Sequence, residues 1–250
     1  EFITRYYGSI ILSGNLTFLM EYYSLGSVRD IIDRKKAVLT EQQASFVLHD
    51  LLCALNVLHK KHKIAHRDVR ASNVFLTADG FCKLSVFGFT RRFDARQEST
   101  LPIFVAPYWM APEVVNMDQI VRKSDVWSAA ITALELVIGA PPLINLTATR
   151  AMIVISQSGI EGNFPFKNRF SDEFVDFIIS CTVIDPLKRP SAKKMLEHPF
   201  IKKCESLDRM EVMKNLISDV DDAVVNDIND DEFNEKTKAY IDKYISMFRK

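Results

Sequence analysis

Glycine is scarce in this chain. The 250 residues hold 8 of them, well below the usual share of about 7%, at positions 8, 14, 26, 80, 88, 139, 159 and 162. No two are separated by a single residue, so neither G-x-G-x-x-G nor G-x-x-x-x-G-K-[ST] occurs, and the chain holds no glycine-rich phosphate cradle. Cysteine is equally spare. Cys53, Cys82, Cys181 and Cys204 stand far apart, with no C-x-x-C pair and no framework spacing, which fits four reduced thiols in a cytoplasmic protein. The most apolar stretch, 128–144, is broken by Thr132, Glu135 and two prolines and falls short of the roughly 20 residues of a membrane span. Charge of one sign is lacking as well: Lys plus Arg and Asp plus Glu are 32 each, so no net field favours nucleic acid or an anionic membrane.

What is present suits a globular protein with a sizeable core: 48% of residues are apolar and 26% charged. The chain opens Glu-Phe-Ile-Thr, without a methionine and directly in a β-like run, and so reads as a piece of something longer. Aromatic and β-branched residues from Phe2 to Leu12, a turn at Ser13-Gly14-Asn15 and a second apolar run to Met20 predict a hairpin. After Gly26-Ser27 the pattern turns helical. Thr40 and Gln43 form a capping box ahead of Ala44, Val47, Leu48, Leu51, Leu55 and Leu58, one face of a helix. A polar, turn-rich stretch from His66 to Phe87 carries strand-like fragments at 74–76 and 82–84, and an irregular loop runs on to about Glu113.

Ser124 is expected to cap a helix over 125–138 that is apolar nearly all round and therefore central. Ser171 starts another helix, and Ser191 a last one ending near His198-Pro199-Phe200. Two strands followed by many helices predict one mostly helical unit. Between 215 and 235 there are eight acids and no bases, so the rest of the neutral chain carries a net +8. Residues 236–250 form a basic amphipathic segment with Tyr240, Tyr244 and Phe248 at spacing four. The acidic runs from Asp219 and Asp227 lack the glycine and glutamate of a calcium loop and read as a solvated charge run. His49, His59, His62 and His198 show no metal spacing and read as helix-surface residues.

The most informative octet is His66-Arg67-Asp68-Val69-Arg70-Ala71-Ser72-Asn73. An Asp and an Asn five residues apart on a tight loop can set a proton acceptor beside a substrate hydroxyl and an amide oxygen on a metal; a cation between them can face a transferring phosphate. Val86-Phe87-Gly88 follows thirteen residues after Asn73. Ala111-Pro112-Glu113 closes the irregular loop, Asp125-Val126-Trp127-Ser128 opens the central helix, and Asp185 to Pro190 precedes the last one. In order and spacing these five segments, from residue 1 to about 203, resemble the eukaryotic protein kinases. Pro107 to Glu113 and Cys181 to Lys203 look most like the sterile-twenty-like (Ste group) serine/threonine kinases.

The resemblance implies an α+β, protein-kinase-like bilobal fold, here mostly the helical C-lobe with only the last hairpin of the N-lobe. Residues 1–23 would be the N-lobe remnant and hinge, 24–203 the C-lobe, and 204–250 an acidic linker and C-terminal helix. It implies ATP and Mg²⁺ as cofactors, with Asp68 as catalytic base, Arg70 as the cation and Asn73 as a metal ligand. Met20 would be the gatekeeper, Glu21, Tyr22 and Tyr23 the hinge, and Phe75 and Ser85 the floor and back of the nucleotide site. Arg67 would await a phosphorylated residue, with Ser99 and Thr100 as candidates; Glu113 with Arg189, and Asp125, would hold the lobe together.

The departures matter more. Val86 stands where the family's second metal-binding Asp belongs, and an isopropyl group cannot coordinate Mg²⁺. Arg70 replaces the usual Lys, a wide planar fork for a compact charge. Ala106 replaces a Thr, Ala130 a Gly, and Phe75 a Leu whose place it should crowd. The glycine-rich loop, the lysine and the glutamate of the family's N-lobe would lie upstream of Phe2. The expectation is a pseudokinase, truncated in its N-lobe, with weak or absent Mg²⁺ binding and at most weak ATP binding. It would engage protein partners through the C-lobe and the C-terminal helix, with no nucleic acid and no membrane span. The alternative is an active ATP-dependent serine/threonine kinase whose N-lobe lies outside this chain.

Overall fold

The computed structural model describes residues 1–12, 15–85, 90–92, 107–116, 122–160 and 167–218. The predicted hairpin is present: β1 (Tyr6–Leu12) runs antiparallel to β2 (Asn15–Met20), from Leu12↔Asn15 to Tyr6↔Met20. Its alternating apolar side chains remain largely outside the core; Ile11, Leu16 and Phe18 are all exposed. Helix α1 (Val28–Lys35) starts at Ser27, which forms a reciprocal capping box with Asp30. Helix α2 (Glu41–Val57) starts at the expected box, Thr40 with Gln43, and passes into a π-turn at Leu58–His62.

Two short antiparallel pairs follow. β3 (Ile64–Ala65) meets β6 (Arg91–Arg92), and β4 (Val74–Leu76) meets β5 (Cys82–Leu84), as the fragments at 74–76 and 82–84 predicted. Ile3 adds a parallel bridge to Leu84, with Thr4 N donating to Leu84 O at 3.0 Å. A four-residue helix α3 (Pro112–Val115) precedes α4 (Ser124–Ile138), in which every residue from Ser124 to Val137 is buried. That is the placement its all-round apolar pattern demands. The cap differs from expectation. Lys123 holds the N-cap position, and the Ser124 hydroxyl instead donates to Glu113 Oε1 at 2.7 Å.

Beyond it lie α5 (Ala148–Ser158) and α6 (Asp172–Cys181), the latter capped by Ser171 as expected. The single helix predicted from Ser191 is two short ones, α7 (Ala192–Met195) and α8 (Pro199–Lys202), because Pro199 cannot continue α7 and starts α8 instead. Trp127, Phe174, Phe177 and Phe200 bind these helices into one core with α2.

Residues 204–218 are not plain linker. They form a 3₁₀ turn (Lys203–Ser206) and α9 (Arg209–Ile217), whose Met213 and Leu216 are buried in the same core. The reason lies at Arg209. Its guanidinium grips Asp50 at 2.7 and 3.0 Å, sits over the rings of Phe46 and Phe81, and donates to Gly80 O. None of these partners is local in sequence. The 236–250 segment and both rejected calcium runs lie outside the described residues. Among the described residues no helix is long and apolar enough to cross a membrane, and no group of three or more His, Cys, Asp or Glu could hold a metal.

Candidate active site

The loop from His66 to Asn73 is set by the first turn of α4. Asp125, fully buried, accepts from His66 N at 2.8 Å and Arg67 N at 2.8 Å, and bonds to His59 Nε2 at 2.7 Å. Burial pushes the Asp125 carboxyl up, but the hydrogen bond and charge of His59, the charge of His66 and the Arg67 amide outweigh it and hold it below its usual value. Arg67 has φ +72°, left-handed backbone that a residue with a Cβ adopts at a cost of roughly 1–2 kcal/mol. Asp125 holds the two amides that fix this bend. His59, expected on a helix surface, is therefore buried, because its ring is needed as a partner for Asp125.

The bend brings the expected cluster together. Asn73, in the 3₁₀ turn Ala71–Asn73, donates through Nδ2 to Asp68 O at 2.7 Å and to Asp68 Oδ2 at 2.8 Å. That assignment leaves the Asn73 amide oxygen for a cation. Arg70 Nη2 lies 3.3 Å from Asp68 Oδ2, and Arg70 Nε lies 3.0 Å from Asp68 Oδ1. The second contact is an ion pair off the hydrogen-bonding axis, since Asp68 Oδ1 and Arg70 Nε both keep unused hydrogen-bonding capacity. Asp68 is thus a buried carboxylate with Oδ2 hydrogen-bonded and Oδ1 ion-paired but without a hydrogen bond, so one oxygen keeps capacity to accept from a hydroxyl. A cavity of about 20 Å³ beside it is lined by Arg67, Val69, Trp109 and Met110.

Ser85 closes the back of the loop. Its carbonyl lies 3.0 Å from His66 Nε2, and its amide donates to Asn73 O at 2.9 Å. Burial holds the His66 imidazole below its usual range, against the opposing charge of Asp125. Val86, Ser99, Thr100 and Ala106 lie outside the described residues. Ala130 is buried in α4.

Glu135 is a site-positioning residue that pattern reasoning passed over. Its Oε2 accepts from Ala71 N and from Trp109 Nε1, each at 3.0 Å, and Oε1 lies 3.8 Å from Arg29 Nη1. It thereby ties α4 to the Asp68–Asn73 loop, to the segment before α3 and to α1. Burial pushes its carboxyl up, against the Ala71 and Trp109 bonds. The available signal was an acid deep in the body of an apolar, central helix, since a buried charge has a partner.

The expected nucleotide-facing residues divide. Met20, paired with Tyr6 at the end of the hairpin, is 42% exposed, and Tyr22 is 71% exposed. Glu21 is drawn into an ion pair with Lys83 and accepts from Arg5 N at 3.1 Å. Burial pushes Glu21 up, but the Lys83 and Arg5 hydrogen bonds hold it below its usual value. Tyr23 stacks on Phe75, with centroids 5.2 Å apart and planes 29° apart, and its hydroxyl donates to Thr4 Oγ1 at 3.0 Å. Burial pushes the Tyr23 phenol up to about 12, so it stays a neutral donor. The ring expected to underlie a nucleotide base therefore already carries an aromatic partner from its own chain.

Set against ATP and Mg²⁺, this donor set is thin. The described residues offer a metal one neutral oxygen, on Asn73, beside a carboxylate already engaged by Asn73 and Arg70, and the next expected ligand position holds valine. The residues present do not make the two-ligand cradle the resemblance implies.

Elsewhere the expected structural pair is complete. Arg189, with no exposed surface, spans Glu113 Oε1 at 2.7 Å and Oε2 at 2.9 Å and donates to three carbonyls, of Lys123, Val183 and Ile184.

Comparison with known proteins agrees with this architecture. Residues 1–201 match the family model described as protein kinase domain. The serine/threonine-protein kinase cst-1 of Caenorhabditis elegans is 37% identical over 213 residues, 85% of this chain and 42% of that protein. The serine/threonine-protein kinase hippo of Drosophila melanogaster is 38% identical over 201 residues, 80% and 30% of the respective lengths; both are sterile-twenty-like relatives. The serine/threonine-protein kinase pakG of Dictyostelium discoideum is 38% identical over 218 residues, 87% of this chain and 18% of that protein. The chain thus spans less than half the length of these relatives. With loop, central helix and buried ion pair disposed as the motifs required, and the family model covering most of its length, the chain belongs to the protein kinase domain family.

Proposed function

We propose that this chain is a sterile-twenty-like kinase domain that serves as a cytoplasmic signalling scaffold or allosteric partner and transfers phosphate poorly or not at all. The observation that carries this reading is Val86, at the position of the family's metal-binding carboxylate. Without that ligand, neutralising the charge on a triphosphate falls to Asn73, and loss of one preorganised electrostatic contact typically costs about 10²–10³ in rate. Such losses within one catalytic unit do not simply multiply. The Tyr23–Phe75 stack supports weak nucleotide binding, because the base would compete with Tyr23 for the ring. The Glu113–Arg189 pair and the Asp125 bonds meanwhile keep the helical lobe intact as a platform for protein partners, together with the 236–250 segment.

A second reading, an active serine/threonine kinase completed by an N-lobe outside this chain, is favoured by the assembled Asp68, Arg70 and Asn73. Phosphotransfer by the full-length protein separates the two, with wild type measured against Val86→Asp. Background activity in the wild type, raised in Val86→Asp, is the expected result; equal, robust activity in both overturns the scaffold reading. A thermal shift with ATP, with and without Mg²⁺, probes the site directly. A shift of several degrees that requires Mg²⁺ would contradict it.

A further inference from the structure

The four thiols of the chain differ sharply in setting. Cys82, Cys181 and Cys204 are buried in the core, and burial pushes all three thiols up, that of Cys204 to about 11. Cys53 is half-buried on α2. One turn before it stands His49, with Nε2 3.9 Å from Cys53 Sγ and Nδ1 2.9 Å from Asp50 Oδ1. The thiol, the imidazole and the carboxylate follow one another as nucleophile, charge partner and orienting group.

The array is held from behind. Asp50, fully buried, accepts two hydrogen bonds from Arg209 of α9 and one from Cys82 N at 2.8 Å, so it cannot swing away from His49. The edge of the Phe2 ring closes on His49 at 6.1 Å between centroids, with planes 85° apart. The charged and titratable groups facing the pair are Asp50 on α2, Arg209 from α9 and Cys204 from the 203–206 turn. The hydrogen bond to Asp50, then that to Cys53, raises the His49 imidazole to about 9 despite burial. A thiol beside such an imidazolium is the setting in which cysteines become nucleophilic.

The geometry points to Cys53 as a modification site, the thiol of this chain that reacts with disulfides of the glutathione type, with the His49 ring, held by Asp50, stabilising its thiolate. In the step Cys53 gives up its proton to water, and the His49 imidazolium beside it stabilises the thiolate. The thiolate then attacks one sulfur of oxidised glutathione, forming the Cys53–S bond and breaking the glutathione S–S bond. The other half leaves as a thiolate and is protonated. One thiol and one disulfide become one mixed disulfide and one thiol, so no other oxidant is needed. The site lies outside the Asp68–Asn73 cluster and does not depend on whether the domain transfers phosphate.

The test uses the full chain, native and reduced. Limiting iodoacetamide followed by peptide mapping is expected to label Cys53 first. Oxidised glutathione should give one adduct on the same peptide, removed by dithiothreitol and absent from Cys53→Ser. Replacing His49 by glutamine should slow Cys53 about tenfold at pH 6 and much less at pH 9, where free thiols ionise unaided. A merely structural His49 would not produce that pH split. Labelling of Cys53 no faster than the buried thiols, a glutathione adduct at another cysteine, or an unchanged His49→Gln rate at pH 6 would each overturn the assignment. The wild-type ratio of rates at pH 6 and pH 9 tests it without any variant: a rate that falls at pH 6 as steeply as that of free glutathione counts against it.

Discussion

Replacing Arg189 by methionine tests the framework of the helical lobe most directly. The guanidinium has five N–H donors, and in this fold all five are used: two on Glu113 and one each on the carbonyls of Lys123, Val183 and Ile184. Its plane also packs over Trp127, 5.2 Å from the ring centroid. Methionine fills much of that volume but donates nothing. Glu113, 5% exposed, would keep only the Ser124 hydroxyl as a partner in a site closed to water. Breaking a buried pair by removing one partner costs about 3–5 kcal/mol. The three carbonyls left without this donor push the cost to the upper part of that range. In a chain of this size each kcal/mol lowers the melting temperature by about 2–4 °C, so Arg189→Met should melt about 8–20 °C lower. Reversible urea unfolding of wild type, Arg189→Met, Glu113→Gln and the double variant measures this. The double variant should cost less than the sum of the singles, because Glu113→Gln removes the charge that Arg189→Met strands. A loss below about 1 kcal/mol for Arg189→Met, or strict additivity, would refute the reasoning.

The other expectations are smaller in scale. Glu135→Ala should destabilise by about 1–3 kcal/mol, because it strands the buried Ala71 amide and Trp109 indole N–H; Glu135→Gln keeps an acceptor and should cost much less. Gly80 has φ +77° beneath Arg209 and Met213, so Gly80→Ala should lose about 1 kcal/mol in urea titrations, whereas Gly8→Ala, with open space around it, should not. His49 is raised in the folded state from 6.5 to about 9, so its stabilising contribution is complete below about pH 6.5 and is lost as pH rises through 9. The urea midpoint of wild type over His49→Gln should therefore narrow across that interval; a gap that widens would contradict the sign.

Much of this was legible in the chain, because the signals were local. The Thr40–Gln43 capping box, the helix starts at Ser171 and Ser191 and the all-apolar pattern of α4 are written in adjacent residues, and each emerged where expected. The octet at 66–73 likewise announced which side chains would meet, since Asp68 and Asn73 need only one tight turn to touch. Misreadings fell where a partner is distant. His59 looked like a surface histidine until Asp125 supplied its bond, and Ser124 looked like a cap until Glu113 took its hydroxyl. Residues 204–218 looked like linker because Arg209 finds Asp50 only after some 150 residues of chain have folded between them.

The sequence by itself therefore determined the family, the loop that carries Asp68, Arg70 and Asn73, and the valine at position 86, since residue identity and short spacing suffice for each. Tertiary structure alone decided which ionisable groups are buried and what they face: Glu135 turned into a three-way tie, Tyr23 laid on Phe75, and His49 set between Asp50 and Cys53. The physical reason is that propensity and periodicity act over one or two turns. Burial and the pairing it enforces depend on segments that meet only when the core closes.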